Sequence, residues 1–209
     1  LIALRPAIYQ QYGDPNWREI YRASSPVPLE YWTPTPGHAL MRYMCFYNSF
    51  SWMGDVGDSG SARHAANFKP TKDRLKEEHL PPRFSLGTYK VGSISRSPKN
   101  IVACGFIVTE FDDLDPDPEI NKTKSYAIIE YLRDILKLTL MAVVDSGNKS
   151  LHAYWMRPPD EAMGALLRMA EGLGIDENHL KQSSHRPLRL PGTIHHKTGN
   201  PAELLFLNT

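Results

Sequence analysis

Three clusters in this 209-residue chain carry side chains able to do chemistry. The first is Glu110-Phe111-Asp112, at the end of an apolar run. In a strand, side chains i and i+2 share a face, so Glu110 and Asp112 project together while Phe111 points the other way. Their Cα atoms then stand about 7 Å apart. Carboxylates so placed repel each other unless a cation lies between them, and hard oxygen ligands suit Mg²⁺ or Mn²⁺. More acids follow at Asp113, Asp115, Asp117 and Glu119. Alone, such a run reads as a solvated loop leaving a strand. Chemistry is favoured because Glu110 directly ends a segment too apolar to be exposed.

The second cluster is Ser146-Gly147-Asn148-Lys149-Ser150-Leu151-His152. A glycine turn with Lys149 and Ser150 presents an ammonium, a hydroxyl and free backbone N–H groups, the ingredients of a phosphate cradle. It is not a Walker A loop, because the second glycine-lysine pair and the following helix are missing. Ser150 and His152 share a strand face, with Leu151 opposed. Taken alone, a tight hairpin turn with a surface histidine explains this stretch better. The third cluster is Asp176 followed by Arg186, Arg189, His195, His196 and Lys197. Residues 182–200 contain no acid, and such a stretch attracts phosphates, although a basic surface loop accounts for it equally well. Adjacent side chains on an extended chain diverge, so His195 and His196 make a poor metal pair.

These clusters need elements to hold them. Residues 101–111 read as one β-branched strand, and 140–144 and 151–156 as a hairpin around a turn at 146–148. Ile128, Ile129, Leu132, Ile135 and Leu136 form one helical stripe, which predicts a helix over residues 123–138. Asp160 is placed to N-cap a helix over 161–171, with Gly172 after it as the C-terminal glycine. A last strand is expected at 203–207. Strand–helix–strand–strand–helix–strand is the ferredoxin-like, split βαβ order of an α+β fold.

The N-terminal region is harder to read. Pro26, Pro28, Pro34 and Pro36 suggest an extended arm over residues 1–38, with a short helix near 17–22. Residues 39–52 read as a buried helix, 54–61 as a loop and 71–79 as a short exposed helix ending before Pro81-Pro82. The expected division is an N-terminal helical or irregular region, 1–80, packed on a catalytic core, 81–209. The aromatics Tyr43, Phe46, Tyr47, Phe50 and Trp52 are dense enough to be core, though such rings also stack on bases.

Composition excludes several classes. No run approaches the length of a membrane span, and no basic segment precedes an apolar one as in a secretory signal. Cys45 and Cys104 are too few for a disulfide framework or an all-cysteine zinc site, which favours an intracellular setting. The start at Leu1 fits a domain cut from something longer. Net charge is +1, but six of the ten residues from Glu110 to Glu119 are acidic, whereas 181–197 has no acid. Balanced totals therefore conceal separated charge, and a nucleic-acid partner is not excluded.

Taken in order, the three clusters resemble the motifs of the archaeo-eukaryotic primase superfamily, in particular primase-polymerase (PrimPol-like) replication proteins. Glu110 and Asp112 match the carboxylate-x-carboxylate motif, Ser150-Leu151-His152 the Ser-x-His motif, and Ile175-Asp176 the hydrophobic-Asp motif. The segment 186–197 resembles the basic stretch beyond it, and the likeness covers residues 84–207. It departs in beginning with Glu where the family more often has Asp. The resemblance implies an RRM-like core and a DNA primase or polymerase acting on single-stranded DNA with nucleoside triphosphates. It implies two Mg²⁺ or Mn²⁺ ions on Glu110, Asp112 and Asp176. Lys149, Ser150, His152, Arg186, Arg189 and Lys197 would hold the incoming triphosphate. Arg96 and Lys99 are further candidates for nucleotide or template, and a fused or associated helicase is a further implied partner. The competing readings are a metal-dependent nuclease and a catalytically degenerate binding module. If Asp176 is not a ligand, Asp113 and Asp115 are the spare carboxylates.

Overall fold

Strands that are apolar at nearly every position belong in a sheet covered on both faces. Strands β7 (Leu140–Asp145) and β8 (Leu151–Met156) are buried along almost their whole length. The computed structural model describes residues 2–45, 48–55 and 65–209. In it β7 and β8 are the centre of a four-stranded antiparallel sheet, in the order β10 (Glu203–Leu207), β7, β8 and β6 (Phe106–Glu110). β6 and β7 are joined through helix α5 (Pro118–Ile135) yet lie apart, with β8 between them.

One face of this sheet meets helices α1 (Arg5–Tyr12), α2 (Trp17–Ser24), α5 and α6 (Asp160–Leu173) around Ile107, Val143, Ala153 and Trp155. Trp155 is completely buried, and its indole N–H donates to Thr109 Oγ1 at 3.0 Å, which satisfies its one polar atom. The other face presents Val108, Ala142, Val144 and Tyr154 to helix α3 (Pro36–Met44) and to a second sheet. That sheet runs β5 (Ile101–Ala103), β4 (Thr88–Tyr89), β1 (Phe50–Gly54), β3 (Arg83–Phe84) and β9 (Leu188–Arg189), with β2 (Phe68–Pro70) also paired to β1. β1 thus joins strands from beyond residue 80, and the two regions of the chain share a sheet. Among the described residues no helix is long and apolar enough to cross a membrane.

Several sequence expectations are corrected. Residues 2–38 are not an extended arm. They fold into α1, α2, the 3-10 turn Leu29–Trp32 and the start of α3. Pro6 and Pro36 sit in first turns, where a missing N–H costs nothing. The helix expected over 39–52 stops at Met44, and its last three residues, Phe50 to Trp52, belong to β1. The helix expected over 71–79 is the single turn α4 (Thr71–Arg74), whose Thr71 and Arg74 are buried rather than exposed. Most of the loop expected at 54–61 lies outside the described residues.

The strand expected over 101–111 is two strands broken at Cys104-Gly105, where the chain passes from one sheet to the other. Helix α5 begins earlier than expected because Asp117 caps it, accepting from the N–H groups of Glu119 and Ile120. Asp160 lies inside α6 rather than capping it, and the helix ends at Gly174 (φ 77°), not Gly172. The fourth strand of the core also departs from the ferredoxin-like order. β10 lies beside β7, the second strand, rather than beside β6, the first.

A buried ionic cluster ties the N-terminal helices to the core. Asp145, at the end of β7, forms ion pairs with Arg18 of α2 and Lys122 of α5, each at 3.1 Å. Glu203 lies directly across from Asp145 on β10, and the two carboxylates face each other with Arg18 between them. Arg22 also pairs with Glu203. Removing Asp145 leaves Lys122 buried with, among the described residues, only the exposed Glu119 to pair with. Asp145→Ala is expected to cost about 3–5 kcal/mol. Arg18→Ala, at a more exposed position, is expected to cost about 1 kcal/mol or less. Urea unfolding of both variants reads this difference, and equal losses would remove Asp145 from the centre of the cluster.

Candidate functional site

Alternation along β6 sets the site. Ile107, Thr109 and Phe111 face the helices; Val108 and Glu110 face the second sheet, and Asp112 continues that side as the chain leaves the strand. Val108 is covered by that sheet, but Glu110 and Asp112 lie beyond its cover, where the two sheets part. His152 is in register opposite Glu110 on β8, one position above the buried Tyr154 on the same face. On the other wall β3 and β9 set Arg83 directly opposite Arg189. The opening between these walls is a cleft of about 310 Å³. It is lined by Glu110, Asp112 and Asp176, by Arg83, Arg186, Arg189 and Lys197, and by Ser146, Asn148 and Ser150. Pro187 and four histidines complete the lining: His152, His179, His195 and His196.

Asp176 reaches the cleft as the N-cap of helix α7 (Glu177–Lys181), its Oδ1 accepting from the His179 N–H at 2.9 Å. Its own N–H donates to the Glu110 carbonyl at 3.1 Å, which fixes α7 against β6. Its second oxygen lies 3.7 Å from Arg186 Nη1. One turn of helix thus presents Asp176 and His179 together. Glu110 accepts from or faces two imidazoles: His152 Nε2 at 3.0 Å from Oε1, and His179 Nδ1 against Oε2.

Burial pushes the His152 pKa down to about 4 despite the opposing charge of Asp112. Burial, with help from Arg186, pushes His179 down to about 3. Both rings are therefore neutral near pH 7. Burial and the facing Arg83 lower the pKa of Arg189, yet both guanidiniums stay charged, with Asp55 the acid that offsets them. Donor atoms of Glu110, Asp176 and His179 all lie within 4.8 Å of one another and could hold a cation. Asp112 is not in that group. No hydrogen bond or ion pair engages it among the described residues, so its carboxylate is available to the cleft.

The turn after β7 differs from the cradle expected. Its first N–H groups are already engaged: Ser146 donates to the Ser150 carbonyl, Gly147 to Asp145 Oδ1 and Asn148 to Ser146 Oγ. What it offers the cleft is the Ser146, Asn148 and Ser150 side chains. Lys149 points away and pairs with Asp113 at 2.7 Å, outside the lining. Arg96 and Lys99 also lie outside it. The Arg96 guanidinium stacks on the Trp52 ring, 4.3 Å from its centroid, and donates to the His185 carbonyl. His195 and His196 do not diverge, because the chain turns there and stacks their rings 5.2 Å apart.

Buried Asn121 of α5 binds this assembly from behind. Its Nδ2 donates to the carbonyls of Phe111 and Lys149, and its Oδ1 accepts from the N–H groups of Leu114 and Asp115. The acidic loop and the serine turn are thereby joined through one amide. Sequence reasoning missed His179 and Arg83. Asp176-x-x-His179 is a capping residue followed by its i+3 partner, a signal for one shared face. Arg83 sits in a two-residue strand and leaves no pattern to find.

No protein-family model and no curated protein matches the chain. One solved structure does, the AEP domain of the cyanophage S-2L primase-polymerase (PrimPol). It is 16% identical, with a TM-score of 0.49 over 81% of this chain and 87% of that one.

Gly147 is where the turn permits no side chain. Its φ is +76°, and a Cβ would stand 2.8 Å from the Asn200 carbonyl oxygen and 2.9 Å from that of Pro201. Gly147→Ala is expected to cost about 1–3 kcal/mol from the left-handed backbone, with the clash adding to it. Chemical denaturation measures it, and a neutral result would show that the turn yields freely.

Proposed function

We propose that the cleft is the active site of a metal-dependent nucleotidyltransferase that makes or extends primers on a single-stranded DNA template. The observation that carries this reading is the opposition of charge across one small cleft. Three carboxylates line it together with three arginines and a lysine. A reaction that joins a divalent cation to a polyphosphate needs both walls at once.

The residues fit Mg²⁺ or Mn²⁺, since Glu110, Asp176 and the unengaged Asp112 offer hard oxygen donors side by side. Bound there, such ions would supply Lewis-acid chemistry to phosphoryl oxygens and to the attacking 3′-hydroxyl. The chain's own residues do the positioning. Arg83, Arg186, Arg189 and Lys197 neutralise the triphosphate, and their fixed placement on strands and short turns favours one in-line orientation. Ser150 and neutral His152 on the cleft floor offer hydrogen bonds to phosphate or sugar, while His152 also holds Glu110 in position. Lys149 joins them only by leaving Asp113. Such an enzyme works where its replicon is copied, inside the cell, and a fused or associated helicase would supply its single strand.

Primed and unprimed single-stranded DNA, labelled nucleotides and Mg²⁺ or Mn²⁺ test the reading. Extended or newly made strands are expected. Loss of an electrostatic group at the reacting centre costs on the order of 100-fold or more, the reduction expected for Glu110→Gln and Asp112→Asn. Shortened DNA would identify a nuclease instead, and binding without turnover a degenerate module.

A further inference from the structure

We propose that His179 is itself a metal ligand, completing with Glu110 and Asp176 a mixed nitrogen–oxygen site that takes a first-row transition-metal dication in preference to Mg²⁺. The inference rests on the metal-dependent reading of the cleft and deepens it by naming the class of ion.

Three observations carry it. His179 is 5% exposed, and among the described residues its Nε2 makes no hydrogen bond. A buried ring nitrogen normally finds a polar partner. The His179 Nδ1 lies against a carboxylate oxygen of Glu110, with an Asp176 oxygen in the same small group. A divalent cation is the partner that one imidazole nitrogen and two carboxylates can share.

The backbone is arranged to keep these donors together. Asp176 caps α7 through the His179 N–H, and the Asp176 N–H is bonded to the Glu110 carbonyl. Asp176 and His179 therefore cannot separate from each other or from β6 without breaking these hydrogen bonds. Such a donor set discriminates among ions. Mg²⁺ prefers an all-oxygen octahedral shell and gives up water reluctantly, whereas imidazole is a good ligand for first-row transition ions.

The test uses the full chain with Mn²⁺ as the probe, read by pulsed electron paramagnetic resonance and by calorimetric titration. Wild-type protein should show nitrogen modulation from a coordinated imidazole. His179→Gln should abolish it, and His152→Gln should retain it. His179→Gln should also weaken Mn²⁺ binding roughly tenfold or more, the range seen when a metal site loses a supporting group, while Mg²⁺ affinity stays nearly unchanged. No nitrogen signal in the wild type, or a signal that survives His179→Gln, overturns the proposal. So does an equal loss of affinity for both ions. If His179→Gln does not fold by circular dichroism, His152→Gln decides: a retained signal supports His179, and a lost one overturns it. A protein with this signal but no nucleotide incorporation would keep the ligand and lose the polymerase reading. A polymerase without the signal would do the reverse.

Discussion

Strand β6 is covered on both faces, and the cleft depends on how the chain emerges from that cover. Side chains alternate along a strand, so a single run of residues supplies the core on one side and the chemistry on the other. Ile107 and Phe111 hold the helical layer, while Val108 anchors the second sheet. Glu110 comes next on Val108's side, at the point where the sheets diverge. A slip of one residue in register would bury both carboxylates among helices and leave Phe111 in water. The five paired positions between β6 and β8 guard against that slip, and they also set His152 beside Glu110.

The second constraint is electrostatic. Arg83 and Arg189 face each other across paired strands, an arrangement that is unfavourable by itself. Asp145 and Glu203 do the same on the other sheet, where Arg18 stands between them and Lys122 pairs with Asp145. The difference between the pairs is instructive. The acidic pair has cations built in, and it holds the fold together. The arginine pair, offset by Asp55, opens onto the cleft.

Much of this was legible in the sequence because it rests on short-range regularities. The 128–136 stripe, the 140–156 hairpin and the carboxylate pair after an apolar run all follow from periodicity. The second sheet was not legible. Its strands β3, β4 and β9 are two residues long, too short for alternation to show, and they form only because the larger sheet needs a cover. The N-terminal prolines misled for a related reason, since their effect depends on position within a helix and not on their number. His179 was missed because a lone histidine in a polar segment has no period. Its significance comes from the cap that turns it toward Glu110.

Asn121 gives the acidic loop a character its composition hides. Residues 111–117 are rich in aspartate and partly exposed, the profile of a segment that drifts with solvent. Yet one buried amide on α5 takes hold of that loop at three residues and of the serine turn at a fourth. The loop's frame of reference is therefore the helix. Displacing α5 along its axis would carry the loop's acids and the serine turn together, as parts mounted on one shaft, past the arginines of the opposite sheet.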